Sequence, residues 1–177
     1  IEVDQLFDPA NNGPIIINAT DITANGGFGI RTRGDEDDTA ITVTGTLQSG
    51  GATGIYATST TGNIMIRGGG TGIINGGDSG IIADTRFLPL GGNVVISDFT
   101  AVTSVDTGIW ALADTGTVNI DSIGSVNTGG HGVLVNSTGT VSVGQTAAMG
   151  PIFSGQNGIF IEQLFDSSSN GSIFASA

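Results

Sequence analysis

A segment of four residues occurs six times along the chain, as glycine, Ile or Val, a variable residue, and then Thr, Ala, Val or Ile. The six copies begin at Gly29, Gly54, Gly80, Gly108, Gly132 and Gly158. The steps between these glycines are 25, 26, 28, 24 and 26 residues, and Ile1-Glu2-Val3 reads as a seventh copy without its glycine. Self-similarity at a period of 20 to 50 residues is typical of solenoids, in which each repeat is one structural unit.

A second strand-like triplet follows each copy of this segment, and a third follows every copy except the last. The second strand of the repeat is predicted at 15–17, 41–43, 64–66, 94–96, 118–120, 141–143 and 173–175. The third is predicted at 22–24, 47–49, 73–75, 102–104, 126–128 and 152–154. The outer residues of most triplets are apolar or small, whereas the middle residue varies. This alternation predicts β-strands whose outer residues point inward and whose middle residue points outward.

The fold class predicted from these patterns is all-β, a right-handed parallel β-helix of about seven coils with three strands per coil. We expect one β-helix segment over residues 1–177, cut from a longer solenoid. The last coil is incomplete, and the glycine pairs between the third and first strands are expected to have positive φ angles. The coils are predicted near 1–28, 29–53, 54–79, 80–107, 108–131, 132–157 and 158–177.

Composition narrows the classes of function. The net charge is −12, with four arginines and no lysine, which argues against nucleic acid and anionic membrane surfaces as partners. The chain has no cysteine, so disulfides and thiolate metal sites are excluded. No apolar run approaches the length of a membrane helix, and we expect no direct membrane insertion of this segment. No cofactor is expected.

Three connections between the first and second strands are long and carry large apolar residues. They run over residues 4–14, 84–93 and 162–172, and the first and third share the sequence Gln-Leu-Phe-Asp. We expect these loops to fold as flaps onto the second strand and to cover its outward residues Ile16, Val95 and Phe174. The flap residues are Leu6, Phe7, Phe87, Leu88, Leu164 and Phe165.

The variable residue of the first strand is apolar in five consecutive coils. These residues are Tyr56, Ile82, Trp110, Leu134 and Phe160, and we call them the stripe. Period-two alternation predicts that they point outward and stack, one residue per coil. A contiguous apolar surface of this kind is typical of an interface, and Trp and Tyr are the residues that most often anchor one.

The repeat resembles the passenger repeats of bacterial autotransporter proteins of the type V secretion pathway. The resemblance is carried by Gly-Ile-x-Ala, then Thr-Gly-Asn-Ile-x-Ile or Thr-Gly-Thr-Val-x-Ile, then a Gly-rich turn; its cleanest copies are 54–66 and 108–120. It implies secretion through an outer-membrane barrel, an extracellular or cell-surface location, and a role as an adhesin or stalk. The partners it suggests are other copies or flanking segments of the same protein, or a ligand on a host or cell surface.

Catalytic and metal sites find little support in the sequence. Asp35, Asp37 and Asp38 lie in the one acidic run and could bind Ca²⁺, but their spacing lacks the regularity of a dedicated loop. The outward acids of the strands are expected to be few, with Glu2 the clear one. His131, the only histidine, is predicted to lie in a surface turn without a nucleophile beside it.

The sequence therefore favours a structural and interaction segment, with no catalytic residues and no chemistry of its own. The alternative is a carbohydrate-active β-helix enzyme of the polysaccharide lyase or hydrolase type. Such enzymes carry clustered carboxylates on one outer strand face. A group of three or more acids on one face would distinguish the enzyme from the interaction segment.

Overall fold

The computed structural model describes residues 1–5, 13–86, 91–163 and 171–176, and these residues form a parallel β-helix built from strands and turns. The all-β fold class predicted from the repeat is confirmed. No helix in this part of the chain is long and apolar enough to cross a membrane.

Eighteen strands are present in the described residues. In chain order they are β1 (Glu2–Asp4), β2 (Ile15–Ala19), β3 (Ile22–Ala24), β4 (Ile30–Gly34), β5 (Thr39–Val43), β6 (Thr46–Ser49), β7 (Ile55–Ser59), β8 (Ile64–Asn75), β9 (Ile81–Asp84), β10 (Val94–Ser104), β11 (Ile109–Ala113), β12 (Val118–Ile123), β13 (Val126–Thr128), β14 (Val133–Ser137), β15 (Val141–Val143), β16 (Ile152–Ser154), β17 (Ile159–Glu162) and β18 (Ile173–Ala175).

The strands stack into three parallel ladders, one for each strand of the repeat. The first sheet contains seven strands in the order β1-β4-β7-β9-β11-β14-β17. The second strands also stack seven deep, from β2 to β18, and the third strands run from β3 to β16. Strands β8 and β10 are long enough to take part in both the second and the third ladder. The described residues thus make six complete turns and two strands of a seventh.

The core lies between the three ladders and consists of stacked aliphatic side chains. In β7 the inward residues Ile55 and Ala57 are fully buried, and in β8 Ile64, Ile66 and Ile74 are as well. The buried side chains of all turns form one continuous cluster along the axis. Burial of each isoleucine contributes about 1.5 to 3 kcal/mol, so each turn is stabilised mainly by covering the turns beside it.

One strand departs from the predicted phase. In the third ladder Ile74, not Ile73, is aligned with Leu47 and Val102, and Ile74 is the buried residue. The sequence prediction for this rung was therefore displaced by one residue. The reason is local: two isoleucines are adjacent here, so alternation alone does not decide which one points inward.

The repeated glycine is explained by a close approach between successive turns. A Cβ atom built on Gly29, Gly54, Gly80, Gly108 or Gly132 would lie within 3.0 Å of the carbonyl oxygen of the next glycine in the column. It would also meet an inward side chain of the third strand, such as Val102 at Gly80. Only a residue without a side chain fits this corner at ladder spacing.

The glycine pairs before the first strand behave differently from the prediction. Among the described residues, positive φ angles occur at Gly69, Gly70 and Gly144, and also at Asp98 and Ser122. None of the glycine pairs at 26–27, 50–51, 76–77 and 129–130 has a positive φ, so that expectation was wrong. At Gly77 and Gly130 the glycine is needed instead because the backbone of the preceding turn lies too close for a side chain.

A ladder of polar side chains joins the turns that precede the second strand. The amide N–H and side-chain Nδ2 of Asn63 both donate to Asp38 Oδ1, at 2.9 Å each. Asn93 donates in the same way to Asn63 Oδ1, at 2.9 and 3.0 Å. Asn93 Oδ1 in turn accepts from the N–H and hydroxyl of Thr117, both at 2.8 Å. These bonds fix the vertical alignment of four successive turns.

The close approach at the glycine column makes a direct prediction for Gly80→Ala. The new methyl group would clash with the Gly108 carbonyl and with Val102, so we expect a loss of about 1 to 3 kcal/mol in the free energy of unfolding. Denaturant unfolding followed by circular dichroism measures it. The matched control is Gly51→Ala, because the nearest atoms there lie 4.0 Å away. An equal effect of the two substitutions would contradict this account of the repeat.

Candidate interaction surface on the first sheet

The stripe predicted from the sequence lies in one register on the outer surface of the first sheet. Tyr56 is paired with Ile82, Ile82 with Trp110, Trp110 with Leu134, and Leu134 with Phe160. Each of these residues is therefore directly above its neighbour, about 4.8 Å away along the axis. The structure thus brings all five residues together in one column.

The burial pattern establishes that the stripe faces outward. Its flanking residues, such as Ile109 and Ala111 beside Trp110, are fully buried in the core. Tyr56, Ile82, Trp110 and Leu134 are partly buried, and Phe160 is 40% exposed. The predicted phase of the first strand is therefore correct.

Trp110 is held in place by a chain of hydrogen bonds across three turns. Its indole Nε1–H donates to Asn136 Oδ1 at 2.9 Å, and Asn136 Nδ2 donates to Glu162 Oε2 at 2.8 Å. Asn136 lies one turn further along and two residues along its strand from Leu134, which is the diagonal position that an aromatic side chain can reach. To reach it, the indole must extend along the surface of the sheet.

Leu112 is a buried outward residue of the same strand as Trp110. It follows Trp110 by two residues, so it also faces outward, and it is paired directly with Asn136. Yet Leu112 is only 2% exposed, although it does not belong to the core cluster. It is therefore covered from the outside.

Two further aromatic side chains, which the sequence did not assign to the stripe, lie beside it. The Phe28 ring is 5.4 Å from the Tyr56 ring, and the Arg31 guanidinium lies over Phe28 at 5.3 Å. The ring of His131 is 5.7 Å from that of Phe160. Both residues directly precede a repeated glycine, and this shared position in the repeat is the signal that could have identified them.

The charged residues of this surface are largely paired within it. Arg31 contacts Glu2 at 2.8 Å, and Arg33 contacts Asp4 at 3.4 Å. A third ion pair, between Arg86 and Asp84, lies one turn above Tyr56. There Arg86 donates from Nε and Nη2 to the two oxygens of Asp84, at 3.0 Å each. The surface therefore offers an apolar column with neutralised ion pairs beside it.

The expectation that Glu2 would be the clear outward acid was too narrow. Asp4, Asp84 and Glu162 also lie in strands of the first sheet and alternate outward with it. They were missed because the predicted strands were three residues long, whereas most observed strands extend one or two residues further. These acids do not form a cluster: the described residues contain no group of three or more His, Cys, Asp or Glu side chains that could hold a metal ion.

The acidic run is used for hydrogen bonds to the next turn. Thr60 donates its hydroxyl to Asp35 Oδ1 at 2.7 Å, and Asn63 donates to Asp38 Oδ1. Asp35 and Asp38 therefore join the loop between β4 and β5 to the equivalent loop of the next turn. They are not brought together with Asp37 in any group of potential metal ligands within the described residues.

The proposed flaps remain a prediction. Leu6, Phe7, Phe87, Leu88, Leu164 and Phe165 lie outside the described residues. On the second strand, Ile16 is 66% exposed and Phe174 is 45% exposed, whereas Val95 is partly buried.

The bond between Trp110 and Asn136 makes a testable contribution to stability. We expect Asn136→Ala to lower the free energy of unfolding by about 1 to 3 kcal/mol, since it leaves a partly buried indole N–H without its acceptor. Trp110→Phe removes the same donor while keeping an aromatic ring. A double-mutant cycle, measured by denaturant unfolding, should give a coupling of about 1 kcal/mol. Strict additivity would show that the bond does not form in solution.

Comparison with known proteins gave no match for this chain, whether against protein-family models, curated proteins or solved structures. The geometry of the surface is therefore the basis for assigning a function.

Proposed function

We propose that this chain is a structural and interaction segment of a secreted bacterial surface protein, of the autotransporter passenger or extracellular fibre type. In this role the β-helix is a rod that holds the stripe toward a partner and performs no chemistry of its own. The partner is another copy or a flanking segment of the same protein, or a ligand on a host or cell surface.

The observation that carries this proposal is the continuity of the stripe. Isolated exposed apolar side chains are common on soluble proteins and need no explanation. Five aligned apolar residues on consecutive turns are different, because a contiguous apolar surface is costly to leave in water without a use. The two aromatic residues at its centre and lower end, Trp110 and Tyr56, are types that anchor binding.

The proposed secretion to the cell surface is supported by the resemblance of the repeats to autotransporter passengers and by the absence of cysteine from the sequence. A chain without cysteine can be exported unfolded without forming early disulfides, and it then depends on ladders and stacked side chains for stability. Both features suit a secreted solenoid, and secretion remains part of the proposal.

The interaction role predicts that Trp110→Asp abolishes partner binding while the rod still folds. A charged side chain on the stripe would oppose desolvation at an apolar contact. Binding of the parent and the variant to intact cells, and self-association by light scattering, would be compared, with circular dichroism as the check on folding. Phe153→Asp is the matched control, since Phe153 is 64% exposed on the third ladder, away from the stripe.

The enzyme alternative is tested with the same preparations. Incubation with a panel of polysaccharides should release no new reducing ends and no unsaturated sugars. Turnover of any of them by the parent chain would contradict the proposed function, as would unchanged binding and assembly in a correctly folded Trp110→Asp variant.

A further inference from the structure

The stripe has a second periodicity that concerns its ligand. Aromatic residues occupy every other turn, at Tyr56, Trp110 and Phe160, and the aliphatic residues Ile82 and Leu134 lie between them. Two turns of the ladder correspond to about 10 Å. This distance is close to the disaccharide repeat of an extended β-1,4-linked glycan, in which every second sugar turns the same face to one side.

The width of the stripe selects a narrow ligand. A stable protein–protein interface buries roughly 800 Å² on each partner, about a tenth of the 7629 Å² exposed by this chain. A column one side chain wide, with four of its five members partly buried, offers much less than that. A single linear polymer that lies along the rod axis requires only such a column.

The state of Trp110 favours sugar over peptide. Its indole N–H is hydrogen-bonded to Asn136 and cannot donate to a ligand, so the ring can contact a ligand only through its apolar surface. The negative face of an aromatic ring attracts the polarised C–H groups of a pyranose. A proline-rich peptide has a similar repeat of about 9 Å, but its backbone carbonyls lack internal hydrogen bonds and would need donors from the groove.

The charges beside the stripe favour a neutral glycan. Arg31, Arg33 and Arg86 are each paired with a carboxylate of the same surface, and the chain as a whole carries a charge of −12. An anionic polysaccharide would therefore be repelled at long range. Glu162, exposed beside Phe160, offers a carboxylate oxygen to sugar hydroxyls.

We propose that the stripe binds one extended chain of a neutral β-1,4-linked polysaccharide along the rod axis, with Tyr56, Trp110 and Phe160 stacked on alternate sugars. The column from Tyr56 to Phe160 has five positions joined by four ladder steps, so a chain that stacks on all three rings needs about five sugar units. This inference rests on the proposed function, since it names the ligand of the same surface.

The experiment uses Trp110, the only tryptophan of the chain, as an internal reporter. Cellohexaose, chitohexaose and maltohexaose are titrated into the protein, and tryptophan fluorescence and calorimetry are recorded. We expect saturable binding of cellohexaose or chitohexaose and no binding of maltohexaose, whose α-linkages curve the chain away from a straight column. The matching pentasaccharide should bind much more tightly than the disaccharide, because only the pentasaccharide spans all three rings.

Variants assign the binding to the stripe. Tyr56→Ala retains the reporter and should weaken binding by roughly tenfold, the order expected when a stacking ring is removed. Phe153→Ala removes an exposed ring from another surface and should leave the affinity unchanged. Circular dichroism checks that each variant is folded.

Three outcomes would overturn the inference. One is the absence of any response to these sugars at millimolar concentration by the folded parent chain. Another is equal weakening by Phe153→Ala and Tyr56→Ala. The third is binding of deca-proline, or self-association that Trp110→Asp abolishes, without sugar binding. In this last case the stripe is still an interaction surface and the proposed function stands, whereas release of reducing ends would contradict the proposed function itself.

Discussion

The structure depends on keeping successive turns in register at the spacing of a parallel β-ladder. Every strand of the first sheet pairs with the same positions of its neighbours, from Glu2 opposite Arg31 to Leu134 opposite Phe160. This register requires the corner before the first strand to be as thin as the ladder spacing. The glycine column provides that, because a Cβ at Gly80 would already clash with the turn above it. Glycine is therefore the repeated residue, and the aliphatic residue after it supplies the core.

A strict register turns one outward position of the repeat into a column on the surface. Whatever residue occupies that position recurs at ladder spacing, so a solenoid presents linear arrays more readily than compact pockets. On the second strand this position is mixed. The aligned residues of the first four turns are apolar or small, those of the next two are polar, and that of the last is aromatic; in order they are Ile16, Ala40, Met65, Val95, Asn119, Ser142 and Phe174. On the first strand it is apolar in five consecutive turns. The stripe is singled out by its aromatic residues, because Tyr56, Trp110 and Phe160 recur on alternate turns whereas the second-strand column has an aromatic residue only at Phe174.

The repeat period was sufficient to predict the fold class, the three ladders and the outward phase of Trp110. The prediction failed at the adjacent residues Ile73 and Ile74, because alternation does not show which of two neighbouring apolar residues points inward. The prediction also failed for the glycine pairs. Glycine is favoured both where φ is positive and where another part of the backbone lies close, and the sequence does not distinguish these two reasons. The bond between Trp110 and Asn136 was not predictable from periodicity, because it joins two adjacent turns diagonally and depends on side-chain geometry.

That diagonal bond changes what the surface can do. A free tryptophan on a sheet samples several rotamers and loses them on binding, at a cost of about 0.5 to 1.5 kcal/mol for an immobilised side chain. Trp110 is already fixed by Asn136, which Glu162 fixes in turn. The backbone beneath it is equally restrained, since Ile109 and Ala111 are fully buried on either side. The central ring of the stripe is thus ordered before any partner arrives, and neighbouring turns of the rod impose that order, so the solenoid is itself part of the binding surface.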